Sequence, residues 1–222
     1  MERIPDRTPF KQPLYPHENI TPDAANLLQS ETKFSQIGSD TETVVRALSQ
    51  GELTWLYDVG VSLQERAAIA KRLFEDLRLR GVRASVQMLI GEKDGEPVLF
   101  SITPSVRRAE EAEKTARAID EKIEQYNILF DYFEDKFRSK DYYLYDILGE
   151  HQYVYGNTKD ESEDHWHLVD VDPYIKKDLD IEGLRGQLSG IKTDIEAYAK
   201  YPAAAALIAK VDARLAELEA IA

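Results

Sequence analysis

The sequence predicts an α+β fold. Strand-like alternating runs flank an amphipathic helix, an Asp-Gly pair joins two apolar runs, and heptad-spaced apolar residues dominate the second half of the chain. With 222 residues the chain is long enough for one ordinary domain with extensions. The expected division is an arm over 1–38, a core over 39–175 that includes a long helix at 104–137, and a C-terminal extension over 176–222.

The arm carries Pro5, Pro9, Pro13, Pro16 and Pro22, five of the chain's nine prolines, which favour extended backbone. Thr21-Pro22-Asp23 reads as a cap with proline at the first helical position, so a short helix is expected over 22–30. Phe10, Leu14, Tyr15, Leu27, Leu28 and Phe34 give the arm enough apolar surface to pack on its own domain or on a neighbouring subunit. Ser39-Asp40-Thr41-Glu42 has the capping-box pattern and predicts a short helix ending near Gly51.

Leu53–Val61 reads as a strand, because Trp55, Tyr57, Val59 and Val61 alternate with smaller or polar neighbours. Ser62-Leu63-Gln64-Glu65 is a second capping box, opening a helix to Arg80 that Gly81 stops. Leu63, Ala67, Ala70, Phe74 and Leu77 form its apolar stripe. Val82–Glu92 and Pro97–Thr103 read as strands joined at Asp94-Gly95, a pair that tolerates the positive φ of a tight hairpin. Strand, helix, strand, strand, helix is similar in layout to the first part of a ferredoxin-like α/β sandwich. The fourth strand is expected at His151–Tyr155 or Trp166–Val171. The likeness is to a layout that serves many functions and implies no activity.

Thr103-Pro104 is expected to cap the long helix. Ala109, Ala112, Ala116, Ile119, Ile123, Tyr126, Phe130, Phe133 and Phe137 recur at alternating three- and four-residue spacing. That is a heptad stripe on a rod of about 48 Å at about 1.5 Å per residue. A small sheet of strands about 17–20 Å long cannot cover it alone. Ile181, Leu184, Leu188, Ile191, Ile195 and Tyr198 repeat the pattern, as do Ala204, Ile208, Val211, Leu215 and Leu218 after Pro202. A helical hairpin over roughly 179–201 and 202–221 follows, kinked or folded at Pro202. Its stripes pair with the long helix within the chain or with another chain.

Composition limits the chemistry. The chain has no cysteine, which excludes disulfides, thiolate zinc sites, iron–sulfur clusters and thiol nucleophiles. The 28 Lys and Arg against 41 Asp and Glu give a net charge of −13, unsuited to wrapping nucleic acid and better matched to a basic partner. No apolar run is long enough to span a bilayer and no signal-peptide core opens the chain, so a cytoplasmic location is expected. No glycine-rich phosphate loop, nucleophile elbow or His-Glu-x-x-His helix is present, and no cofactor is expected.

Residues 126–174 gather eight of the twelve tyrosines and three of the four histidines. Tyrosine is enriched at interfaces. Tyr126, Phe130, Phe133, Phe137, Tyr142, Tyr143 and Tyr145 are therefore the candidate docking surface of a non-enzymatic interaction or assembly module. Such a module would be a structural subunit, or an acidic regulator of a basic partner. The competing reading is a metal-dependent hydrolase. His165 and His167 share one face of a strand, and His151 or Asp164 would complete the shell. Asp58 or Glu150 near the tyrosines is a weaker candidate for acid–base chemistry. Arg66, Lys71, Arg72, Arg78, Arg80 and Arg83 form a basic cluster that reads as a solvated helix face.

Overall fold

The computed structural model describes residues 60–93, 96–104, 106–158, 160–169 and 173–221, with the backbone of strands at 10–13, 34–37 and 43–49. The fold is α+β. Strands β1 (Phe10–Pro13), β2 (Phe34–Ile37), β3 (Thr43–Ser49), β4 (Gln87–Lys93) and β5 (Glu96–Pro104) form an antiparallel sheet. Their order is β1-β4-β5-β3-β2. Pro13, which has no amide proton to give a ladder, falls on an edge strand. The expected helix at 22–30, the strand residues 53–59 and the turn residues Asp94 and Gly95 lie outside the described residues. Lys93 pairs with Glu96, the register of the two-residue hairpin that Asp-Gly predicts.

The helix expected from Ser39 to Gly51 is not formed. Thr43–Ser49 is a strand paired along its whole length with β5, from Thr43↔Pro104 to Ser49↔Val98. The capping-box pattern is local, whereas Thr43, Val44 and Val45 are β-branched and favour the pleated backbone that a long-range partner rewards.

Helix α1 (Leu63–Arg80) follows the sequence closely. Ser62 Oγ accepts from the Glu65 amide, and the Glu65 carboxylate accepts from the Ser62 amide at 2.9 Å. Gly81 closes the helix at φ 108°, in the left-handed region where glycine carries no Cβ penalty. Ala67, Ala70, Leu73, Phe74 and Leu77 are buried.

The long helix starts later than expected. β5 runs through Pro104, and β6 (Arg107–Arg108) and a 3₁₀ turn at Ala112–Lys114 intervene. Helix α2 (Ala116–Ser139) begins behind Thr115, whose hydroxyl accepts from the Ala118 amide. Its 24 residues span about 36 Å at about 1.5 Å each, so Ala109 and Ala112 stand outside the helical stripe. Two parallel stripes are buried. Ile119, Ile123, Tyr126, Phe130 and Phe133 form one, and Ala118, Lys122, Gln125, Leu129 and Tyr132 form the other.

Helices α3 (Ile181–Glu196) and α4 (Pro202–Ile221) make the C-terminal hairpin, with Pro202 at the first position of α4. The hairpin packs on α2. Tyr126 donates its hydroxyl to Asp194 of α3 at 2.8 Å, and the Lys210 ammonium of α4 lies 4.2 Å over the Phe130 ring. The first stripe therefore faces the hairpin. The second meets the segments at 144 and 166, where Trp166 Nε1 donates to the Ala118 carbonyl and the Leu144 amide donates to Tyr132, while its Lys122 also reaches Tyr198 beyond α3.

Strands β7 (Tyr143–Leu144) and β10 (Ile175–Lys176) pair with each other. Strands β8 (Tyr153–Asn157) and β9 (His165–Leu168) join β6 in a three-stranded sheet of order β6-β8-β9. Contrary to the expectation of a fourth strand at His151–Tyr155 or Trp166–Val171, neither region joins the five-stranded sheet: β8 and β9 pair with each other instead. Gly156 is what lets β6 approach, since a Cβ there would run into the Arg107 carbonyl. Among the described residues, no helix is long and apolar enough to cross a membrane.

Candidate functional site

The residues expected to form a docking surface are largely interior. Phe133 is fully buried, Tyr126 and Tyr143 nearly so, and Phe130 is 6% exposed. The physical reason is the hairpin: α3 and α4 cover the aromatic half of α2 within the chain. Phe137, Tyr142 and Tyr145 are half-buried, and their rings carry the ammonium groups of Lys140, Lys177 and Lys176 at 4.1, 5.6 and 3.7 Å. Burial raises the Tyr143 phenol to about 12, with Asp180 adding to the shift.

The histidines are separated by what they contact. His151 is exposed beside Gly149 and Gln152. His165 Nδ1 lies 3.3 Å from Glu121 of α2, while the other oxygen of that carboxylate accepts from the Trp166 amide at 3.0 Å. His167 is buried, with Nε2 3.1 Å from a Glu161 oxygen but not aligned as a hydrogen bond. Burial lowers the His167 pKa; Glu161 pulls the other way and Arg83 adds to the lowering. Asp164 is half-buried. Among the described residues, no three His, Asp or Glu side chains converge to hold a metal ion.

The basic cluster of α1 is distributed over separate partners. Arg66 is buried and donates to the Pro173 carbonyl, Arg72 pairs with Asp141, Arg78 with Glu75, Arg80 with Asp76 and Asp135, and Arg83 with Glu161. Exposed pairs of this kind contribute about 0–1 kcal/mol each. Asp58 and the side chain of Glu150 lie outside the described residues.

The concavity that does gather chemistry is one that sequence reasoning missed. A cavity of about 320 Å³ opens where β6, the 3₁₀ turn, α2, β8, β9 and the α3–α4 connection meet. Arg108, Lys114, Lys122 and Lys200 line it with one carboxylate, Glu113. Four cationic side chains thus meet at one concavity in a chain of net charge −13. Tyr153, Trp166, Tyr198 and Tyr201 supply the walls.

Two of the ring donors in the lining are committed to backbone carbonyls. Trp166 Nε1 donates to Ala118 at 2.7 Å and Tyr153 donates its hydroxyl to the Ile147 carbonyl at 3.1 Å. Lys122 is 5% exposed, with its ammonium 4.6 Å from the Trp166 ring centre and 5.2 Å from that of Tyr198. It also donates to the Tyr198 hydroxyl at 3.3 Å. The Arg108–Glu113 pair is loose at 3.6 Å, and Lys114 pairs at 3.4 Å with Glu111, whose side chain is 92% exposed. The signal available in the sequence was Lys122 itself: a lysine three residues after Ile119 and four before Tyr126 stands on the buried side of an amphipathic helix.

Compared with protein families, with characterised proteins and with solved structures, the chain has no match in any of the three.

Proposed function

We propose that this chain is a non-enzymatic binding module whose recognition site is the basic, aromatic-walled cavity around Lys122. One observation carries the reading: four cationic side chains from separate elements line a concavity of ligand size in an acidic chain. Cationic side chains gathered on one concavity attract negative charge, so the occupant we infer is an anion. The net charge of −13 still favours a basic partner elsewhere on the surface, as an acidic regulator would have. The scaffold we propose keeps the ferredoxin-like layout in its sheet half. The observation supporting that is the order β3-β5-β4 with α1 between β3 and β4.

Titration of Trp166 fluorescence with benzoate at low ionic strength tests the binding site. Saturable quenching that weakens with added salt, and is lost in Lys200→Glu, is the expected result. No saturable change with any small anion, in a folded protein, would end the reading.

A further inference from the structure

We propose that the concavity between the C-terminal end of α1 and the first half of α2 takes an arginine side chain of a basic protein partner. It holds about 610 Å³ and shares no lining residue with the cavity around Lys122, so the two sites stand or fall separately. Asp120, Glu121 and Glu124 of α2 face it, together with Arg80, Arg83 and Arg117. Each of those arginines already has a carboxylate partner outside the lining. Arg80 is held by Asp76 and Asp135, Arg83 by Glu161 and Arg117 by Glu163. Lys136 shares Asp76. With all these partners counted in, carboxylates still outnumber cationic side chains around the space. Glu121 is engaged too, accepting from the Trp166 amide beside His165. Asp120 and Glu124 are exposed and have no hydrogen bond or ion pair among the described residues. They stand four residues apart on one helix face, where like charges repel. A cation bound between them relieves that repulsion.

Acidic side chains on a helix are ordinarily just solvated; what points to a ligand here is Gln125. It lines the same space, is 5% exposed, and its Oε1 is buried without a hydrogen-bond partner. Folded chains leave few buried acceptors unpaired, because the bond to water is given up for nothing. A helical side chain leans toward the turn before it, which sets Gln125 over the turn that carries Glu121. The last torsion of glutamine is broad, so the amide can turn its oxygen toward an entering donor. A planar guanidinium has five N–H donors on fixed edges. It can pair with a carboxylate along one edge and give another N–H to Gln125 Oε1. An ammonium is a compact, strongly hydrated point charge and is less suited to bridging the two. Ile128, half-buried and also in the lining, offers apolar surface to the methylene stem. The source is a protein because the net charge of −13 steers a basic surface, not one small cation, toward the site.

The test is calorimetry on the full chain at low ionic strength with short Gly/Ser peptides carrying three arginines, three lysines or three citrullines, and with N-acetylarginine amide. The arginine peptide is expected to bind saturably and about tenfold more tightly than the lysine peptide, and the citrulline peptide not to bind. Asp120→Asn and Glu124→Gln, both at exposed positions, should each weaken the arginine peptide by about threefold to fivefold. Glu182→Gln removes the same charge from α3, outside the lining, and should change the affinity by less than about twofold. Gln125→Met should cut the preference for arginine over lysine to about twofold or less, without lowering the unfolding midpoint, since no hydrogen bond within the chain is lost. Equal affinity for the arginine and lysine peptides would overturn the guanidinium assignment. A preference that survives in Gln125→Met would overturn the role of the buried amide. Equal losses in Glu182→Gln and Glu124→Gln would reduce the binding to diffuse attraction and remove the site, as would no binding by any peptide. N-acetylarginine amide binding as tightly as the arginine peptide would overturn the protein source.

Discussion

The hydroxyl of Tyr132 accepts the amide proton of Leu144 at 2.9 Å, and both residues are fully buried. This bond ties the middle of α2 to β7, and through the β7–β10 pair to the segment leading into α3. Burial drives the Tyr132 phenol far above its ordinary range, and the hydrogen bond from Leu144 opposes the shift without reversing it. The phenol is therefore a neutral structural acceptor.

Tyr132→Phe keeps the ring and deletes that acceptor. The Leu144 amide would then be buried without a partner, which costs about 1–3 kcal/mol. Urea unfolding should show a lower midpoint at unchanged slope. A midpoint equal to that of the parent chain would mean that Leu144 finds another acceptor.

Phe133 is fully buried and its ring lies edge-on to Tyr132 at 5.2 Å between centres. Phe133→Ala should cost roughly 3–5 kcal/mol, from lost transfer energy plus the cavity left behind. Because α3 and α4 of the same chain cover this half of α2, the midpoint should not depend on protein concentration. A midpoint that climbs with concentration would show that a second copy shares the cover.

The elements legible in the sequence are those whose signals are local. Ser62, Glu65 and Gly81 announce both ends of α1 and lie where those signals place them. Pro202 marks the start of α4 for the same reason. Misreadings occur where a distant partner decides. Ser39–Glu42 imitates a helix start, but β5 captures Thr43–Ser49 as a strand. Thr103-Pro104 imitates another, but the ladder with β3 continues through Pro104. The heptad stripe is real from Ile119 onward, yet it identifies an apolar face and not what covers it. The cavity was illegible because Arg108, Lys122, Trp166 and Lys200 are far apart in sequence and converge only through the β8–β9 hairpin and the α3–α4 connection.

Gly156 is a test of how that convergence is held. It pairs with Arg108 on β6, and a side chain there would collide with the backbone carbonyl of Arg107. A backbone atom cannot rotate aside as a side chain can. Gly156→Ala should destabilise by about 1–3 kcal/mol or more, as overpacking does. It should also weaken anion binding, because Arg108 is carried on the displaced strand. Binding unchanged in a destabilised protein would separate the β6–β8 contact from the site.

The acid limb of stability should have two stages. His167 takes a proton near pH 6.5 when unfolded, but burial lowers that value in the fold. Between the two values the unfolded chain binds more protons, so stability falls as pH drops below about 6.5. The slope from one such group is at most about 1.4 kcal/mol per pH unit. Glu161 adds the second stage. Burial pushes its carboxyl up, but the Thr158 amide at 3.0 Å, His167 and Arg83 together bring the pKa below the usual 4.5. That stabilisation is complete above about 4.5 and disappears as pH falls through the lower folded value. Unfolding midpoints measured from pH 8 to pH 3 should therefore decline first below about 6.5 and again below about 4.5. His167→Gln should flatten the first stage and shrink the second, because His167 helps to lower the Glu161 pKa; Glu161→Gln should remove the second and deepen the first, because Glu161 opposes the lowering at His167. A first stage that persists in His167→Gln would assign it to another histidine.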